Sequence, residues 1–210
     1  MNKTLRRFLI GAGIFAAVGL LAVLVVFIAI SGNNEDAVKE DAEAYTEDRF
    51  RGQTEVYGVM YDSMGNQPFR AAAQVRHEED GIEFLVYRNE DNQLVDTYVS
   101  SKWEEEVKQT SMTYLDEELA GVENLDIQFE KSTSSQHRYT PEDAPSVREV
   151  EAAPSIYLDL NRDPVDGDEE IFEAFADFLQ DEFSFSDGRI TVQYFEGDMK
   201  IKGGWTREFS

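Results

Sequence analysis

Residues Phe8 to Ile30 form an uncharged run of 23 residues, of which 15 are Leu, Ile, Val or Phe. A helix rises about 1.5 Å per residue, so this run is long enough to cross a hydrocarbon core of about 30 Å. The alternative is a signal peptide cleaved near Ala29-Ile30-Ser31, but the apolar part of such peptides usually has only about 7 to 15 residues. The run therefore predicts an uncleaved transmembrane helix at residues 8–30.

Charge is distributed unevenly about this helix. The short tail of residues 1–7 carries Lys3, Arg6 and Arg7 and no acidic residue, whereas all 43 acidic residues follow the apolar run. Basic residues beside a transmembrane helix stay on the cytoplasmic side. We therefore expect a single-pass cell-membrane protein with a cytoplasmic amino terminus and an extracytoplasmic carboxyl-terminal domain.

Small residues within the apolar run offer one route to self-association. Ala12 and Ala16, and Gly13 and Ala17, are each four residues apart, which lets two helices approach closely. Such residues are common in membrane helices, so a weak homodimer is an open alternative to a monomer.

Composition limits the chemistry of the outer domain. The chain has no cysteine, which excludes disulfides, a thiolate nucleophile and cysteine-ligated metal sites. An outer domain without cysteine is typical of a prokaryotic surface protein.

The net charge of −24 repels phosphate backbones, so we expect no nucleic-acid partner. The acidity fits either a solvated surface in a salt-rich exterior or a binding face for a basic protein or a cationic envelope component.

The outer part divides into a helix and a domain. Residues 31–53 place Val38, Ala42 and Tyr45 at helical spacing among charged residues, which predicts an amphipathic stalk or first helix that stops near Gly52. Residues 54–210 then form the acidic extracytoplasmic domain, within which residues 131–154 are rich in Ser, Thr and Pro and predict a long loop. This loop is either a surface excursion of one domain, which we favour, or a linker between two lobes.

Alternation of apolar and polar residues predicts the strands. The segments 69–76 and 82–87 alternate in this way and flank Glu78-Glu79-Asp80-Gly81, a turn suited to a tight hairpin. The remaining segments that alternate are 54–62, 94–97, 125–130, 156–160, 190–194 and 199–201.

Helical spacing predicts two further helices. One extends from Tyr98 to Ala120 and ends at Gly121, and the other begins after Asp166 as its N-cap and turns Phe172 and Phe183 inward. Strands and helices do not alternate regularly. The sequence therefore predicts an α+β class, with an N-terminal transmembrane helix followed by one mainly antiparallel sheet with helices packed on it.

One segment has the spacing of a calcium loop. Asp159, Asn161, Asp163 and Glu170 stand at positions 1, 3, 5 and 12 of an EF-hand pattern. The sixth position is Pro164 instead of the glycine that the turn needs, and the preceding segment predicts a strand. Calcium is the sole cofactor that the sequence suggests, and the alternative is that these acids are ordinary solvated side chains.

No catalytic motif is recognisable. The two histidines, His77 and His137, fall at a strand end and in the long loop, where we expect surface positions, and the known metalloprotease, hydrolase and nucleotide-binding motifs are missing from the sequence. We favour a non-catalytic binding or accessory module with an unidentified protein or envelope partner. The alternative is an outer-surface hydrolase that uses acidic residues near 159–170, either alone or with the help of a metal ion. The sequence does not identify its catalytic residues.

Overall fold

A computed structural model of the chain describes residues 35–129, 139–196 and 200–209. The predicted transmembrane helix at residues 8–30 lies outside these ranges. Within them, no helix combines the length and the hydropathy that a membrane crossing requires.

The domain is α+β. Its elements in chain order are helix α1 (35–49), strands β1 (Thr54–Tyr61), β2 (Ala71–His77), β3 (Glu83–Arg88) and β4 (Leu94–Asp96), helix α2 (Tyr98–Glu118), strands β5 (Val122–Gln128) and β6 (Ser155–Leu160), helix α3 (Asp168–Phe183), and strands β7 (Gly188–Glu196) and β8 (Lys200–Phe209). A short 3-10 helix, Val147–Glu149, precedes β6.

The strands form two four-stranded sheets, where the sequence predicted one. The first sheet has the order β1-β2-β3-β4 and is antiparallel throughout, and the second has the order β5-β6-β7-β8. In the second sheet β6 and β7 are parallel, because α3 carries the chain back to the start of the next strand. Alternation within a strand fixes which side chains face the core, but it does not fix which strand is the neighbour.

A single hydrophobic core joins the two sheets. Helix α2 contacts β3 of the first sheet, β5 of the second sheet and α3. Its inward side chains Trp103, Val107 and Leu115 are buried beside core residues from both sheets. Residues of both sheets therefore pack together in one core against α2.

The described part of the long loop, residues 139–154, packs against α2. Val147 is fully buried, and the Trp103 indole donates a hydrogen bond of 2.9 Å to the Pro145 carbonyl. Arg148 forms ion pairs with Glu106 on α2 and Glu182 on α3. These residues are therefore an ordered part of the domain wall.

Helix α1 is packed into the same domain. Ala42 and Phe50 are buried in the core, and Thr46 is buried between them. The chain leaves the helix through Arg51 and Gly52, whose φ angles of 53° and 73° turn it into β1. Residues 35–49 therefore belong to the folded domain rather than to a free stalk.

Candidate functional site

A cleft of about 660 Å³ opens beside the C-terminal end of α1. Its walls come from residues within 44–53, the β2–β3 turn at 77–80, Tyr98 at the start of α2, and residues 140–142. We name it the His77 cleft. Concave sites of several hundred Å³ with a few convergent polar groups are typical ligand sites, so this cleft is the first candidate.

His77 is buried at the base of the β2–β3 hairpin. It is 2% exposed, and the rings of Phe50 and Tyr98 lie 6.0 and 5.5 Å from its imidazole, measured between centroids. The prediction of a surface position for His77 is therefore wrong. The residue occupies the last inward position of β2, on the same face as Ala73 and Val75.

The β2–β3 turn brings Asp80 back onto the imidazole. Gly81, with φ of 74°, lets the chain reverse, and His77 Nδ1 then lies 2.8 Å from Asp80 Oδ1. The Tyr98 hydroxyl donates to Asp80 Oδ2 at 2.5 Å. A carboxylate beside Nδ1 makes that nitrogen the donor, so in the neutral ring Nε2 carries the lone pair.

The same contacts determine the ionisation of Asp80 and Tyr98. Burial disfavours the Asp80 carboxylate, but hydrogen bonds from Tyr98, the Ile82 N–H and His77 outweigh burial and lower the pKa of Asp80. Burial, followed by the hydrogen bond to Asp80, raises the pKa of Tyr98. Asp80 is therefore a charged acceptor and Tyr98 a protonated donor at neutral pH.

The second ring nitrogen of His77 has no hydrogen-bond partner among the residues that the structure describes. Nε2 is buried, and no described residue forms a hydrogen bond with it. The large majority of buried side-chain polar atoms in proteins have such a bond. Nε2 is therefore a buried acceptor without a hydrogen bond among the described residues, and it belongs to a residue that lines the cleft.

An ion pair fixes the opposite wall of the cleft. Arg49 Nε lies 2.7 Å from Asp96 Oδ2, and the Tyr45 hydroxyl donates to the same oxygen at 2.6 Å. Arg49 Nη2 also donates to the Tyr139 carbonyl at 2.6 Å. These contacts join α1, β4 and the loop, so the wall is pre-organised before any ligand binds.

The rim of the cleft is acidic. Asp48 and Glu79 are exposed there, and Arg51 is paired with Glu142 at 2.8 Å. The rim therefore presents carboxylates to an approaching ligand, while its exposed cation is already paired.

The residues of the predicted calcium loop lie along β6 and the start of α3. Asp159 is on β6 and accepts a hydrogen bond of 3.2 Å from the Asn124 amide, Asn161 and Asp163 lie in the following loop, and Glu170 is in the first turn of α3. In the parts of the chain that the structure describes, no three His, Cys, Asp or Glu side chains are grouped to hold a metal ion. The calcium site stays a prediction, and calorimetry at millimolar calcium tests it.

The start of α3 differs from the predicted cap. Gly167, with φ of 96°, is the N-cap, and it has no side chain to cap the helix, so the prediction of Asp166 in this role is wrong. Asp168 instead accepts hydrogen bonds from the Val165 N–H and from Arg162. The ion pair of the half-buried Arg162 with the buried Asp168 is structural and was not foreseen from the sequence.

A larger cavity of about 1010 Å³ lies near the N-terminal part of α1, beside Tyr61, Phe69 and Arg88. None of the buried polar atoms that lack a hydrogen-bond partner in the described residues lines it. By volume alone, this cavity would be the better candidate for a ligand site. The unsatisfied His77 nitrogen favours the smaller cleft instead, and an unsatisfied buried group is the more specific sign.

His137, the second histidine, lies outside the described residues.

Comparison with protein-family models, with curated proteins and with solved structures found no match for this chain.

Proposed function

We propose that the chain is a membrane-anchored, extracytoplasmic binding module whose ligand occupies the His77 cleft. The observation that carries this proposal is the buried Nε2 of His77, which has no hydrogen-bond partner among the described residues although it belongs to a residue that lines the cleft. Leaving a buried polar group of this kind unsatisfied costs about 1 to 3 kcal/mol.

The location rests on the sequence. The apolar run at residues 8–30 anchors the chain, and the basic tail holds the amino terminus in the cytoplasm. A phosphatase reporter fused after Ser210 should be active, because that enzyme folds only outside the cytoplasm. An inactive phosphatase, together with an active cytoplasmic reporter at the same position, would refute this topology.

In-cell crosslinking tests ligand binding at the cleft. A photo-crosslinking amino acid replaces Gln53, which lines the cleft, or Gln128, which is exposed on β5 and serves as the matched control. We expect a discrete adduct in intact cells from position 53, no adduct of that mass from position 128, and loss of the adduct when His77→Gln is added. The same adducts from both positions, or none from position 53, would contradict the proposal.

A hydrolase is the second candidate, because the His77–Asp80 pair resembles a general base held by a carboxylate. No serine or threonine hydroxyl of the described residues is hydrogen-bonded to Nε2, so this base would have to act on water. Chromogenic ester, glycoside and phosphate substrates given to the full chain distinguish the two candidates. The binding proposal predicts no turnover, and turnover that His77→Gln abolishes would establish the hydrolase instead.

A further inference from the structure

We infer that the β1–β2 loop, residues 61–70 with the last residue of β1 included, contacts the surface of the membrane that holds the chain's own anchor. This inference rests on the proposed transmembrane anchor at residues 8–30 and does not depend on the His77 cleft. It follows from the short connection to α1, from the apolar side chains that the loop exposes, and from an arginine that the domain leaves unpaired.

The connection between the anchor and the domain is short. The four residues 31–34 separate the apolar run from α1, and an extended chain spans at most about 3.6 Å per residue. The start of α1 must therefore lie within about 18 Å of the end of the membrane helix. The end of the domain at which α1 begins thus faces the membrane.

The β1–β2 loop lies at this same end of the domain. Ala37 and Val38, in the first turn of α1, line the cavity of about 1010 Å³ together with Tyr61 and Gly65 of the loop. The β2–β3 turn lies at the other end of β2, about 20 Å away, because this strand of 7 residues rises about 3.3 Å per residue. The two ends of β2 therefore differ in their distance from the membrane.

The loop holds apolar side chains in solvent. Four large apolar side chains are exposed in the described part of the chain, and the loop carries two of them, Met64 at 82% and Tyr61 at 53%. The loop is held in place by the Asp62 carboxylate, which accepts a hydrogen bond of 2.9 Å from the Met64 N–H, and by the buried ring of Phe69. Apolar and amphipathic side chains presented in this way partition into the interfacial layer of a bilayer.

Charge distinguishes the same loop from the rest of the domain. Residues 63–77 contain no acidic residue, and no other stretch of this length after Glu35 lacks one. Arg70 forms no ion pair and no side-chain hydrogen bond with a described residue, whereas the other eight arginines in the described ranges each pair with a carboxylate.

A free guanidinium suits the phosphate of a lipid headgroup, which it can bind with two parallel hydrogen bonds. Glu90 is exposed beside the same cavity and repels anionic lipids. The expected contact of Arg70 is therefore the phosphate of a zwitterionic phospholipid.

Quenching by spin-labelled lipid tests the inference on the full chain in nanodiscs of phosphatidylcholine, part of which carries a nitroxide near the headgroup. Because the chain has no cysteine, Asn66→Cys places a dye in the loop, and Glu78→Cys places one in the β2–β3 turn as the control. We expect the labelled lipid to lower the fluorescence at position 66 by about twofold or more and to leave position 78 unchanged, because about 20 Å of strand separates them. Equal quenching at the two positions would overturn the inference.

Two double variants of the Asn66→Cys protein separate contact by these side chains from nearness to the membrane. Met64→Ser with Arg70→Gln should reduce the quenching by about half or more. Val165→Ser with Arg51→Gln makes comparable changes at exposed positions outside the loop and should leave the quenching unchanged. Quenching that persists in the Met64 and Arg70 variant would contradict the contact.

A third dye position separates failure of the contact from failure of the anchor. Ser31→Cys directly follows the end of the apolar run and reports on the anchor itself. Quenching at position 31 without quenching at position 66 would leave the proposed anchor in place and refute the contact. No quenching at position 31 would refute the anchor, and the inference would fail with it.

Discussion

Asp168 holds three parts of the second half of the domain together. Its carboxylate is 5% exposed and accepts hydrogen bonds of 2.6 and 2.8 Å from Arg162 and of 2.8 Å from the Tyr194 hydroxyl. Hydrogen bonding to Arg162, followed by the bonds from Val165 and Tyr194, outweighs burial and lowers the pKa of Asp168 to about 2. The loop after β6, the start of α3 and β7 therefore meet at one charged group.

We predict that Asp168→Asn lowers the free energy of unfolding by about 2 to 3 kcal/mol at pH 7. The folded-state pKa is depressed, so the stabilisation is complete above the unfolded pKa of about 4 and is lost as the pH falls toward about 2. The difference between the wild type and the variant should therefore shrink between pH 4 and pH 2. Urea denaturation across this range measures it.

Asp177→Asn is the control for this prediction, because Asp177 is exposed on the same helix. We expect it to change stability by less than about 0.5 kcal/mol. A similar loss in both variants, or a loss from Asp168→Asn that does not depend on pH, would contradict the role given to Asp168.

At the scale of elements, α1 is joined to the first sheet through Arg49. This guanidinium pairs with Asp96, a buried carboxylate on β4, and its side chain is 17% exposed. Its neighbour Arg51 also forms an ion pair, with Glu142, but is 75% exposed. The two adjacent arginines therefore provide a matched test of how α1 is held.

We predict that Arg49→Leu lowers the free energy of unfolding by about 3 kcal/mol, because it leaves the buried Asp96 charge without its cation. Arg51→Leu should cost less than about 1 kcal/mol, since water already solvates that ion pair. Urea denaturation gives both values, and hydrogen exchange should show faster opening of residues 35–49 in Arg49→Leu alone. Comparable losses in the two variants would show that Arg49 does not hold the helix.

The local elements could be predicted from the sequence, because their signals are local. The alternation at 69–76 and 82–87 and the Asp80-Gly81 turn predicted the β2–β3 hairpin, and helical spacing predicted α2 and α3. The two sheets could not be predicted, since strand partners depend on packing across distant segments. The contact of α2 with β3 and β5, which joins the sheets, is of this kind.

The candidate site was only partly predictable. Counting along β2 from Val75 places His77 on the inward face, so the alternation already indicated its burial. The approach of Phe50, Tyr98 and Thr140 to that histidine joins four separate segments of the chain, and no local pattern contains this information. The EF-hand spacing from Asp159 to Glu170 was a clearer sequence motif than the residues around His77. The described residues there nevertheless form no metal-binding group.

For the molecule as a whole, the strongest property is its negative charge. The chain carries 43 acidic and 19 basic residues, so the folded domain repels itself when its charges are not screened. The Debye length falls from about 8 Å at 0.15 M salt to about 3 Å at 1 M, so added salt should relieve this repulsion.

We predict that the melting temperature of the full chain rises by roughly 5 °C or more between 0.05 M and 2 M KCl. Sucrose at equal osmolarity is the control, because it favours compact states without screening charge. Equal melting temperatures at the two KCl concentrations would remove the support for a surface adapted to a salt-rich exterior.

The proposed location and the proposed cleft can be tested together, because the chain has no cysteine of its own. Ala44→Cys places a thiol in the wall of the His77 cleft, and Ala174→Cys places one on the exposed side of α3 as a control. The measurement is the rate at which a membrane-impermeant maleimide labels each variant, in intact cells and in purified protein.

We expect the Ala174→Cys variant to be labelled at similar rates in cells and in purified protein, because the proposed topology places the domain outside. We expect the Ala44→Cys variant to be labelled more slowly in cells than after purification, because a bound ligand covers the cleft. No labelling of either variant in intact cells would contradict the location, and the same ratio of rates at both positions would contradict an occupied cleft.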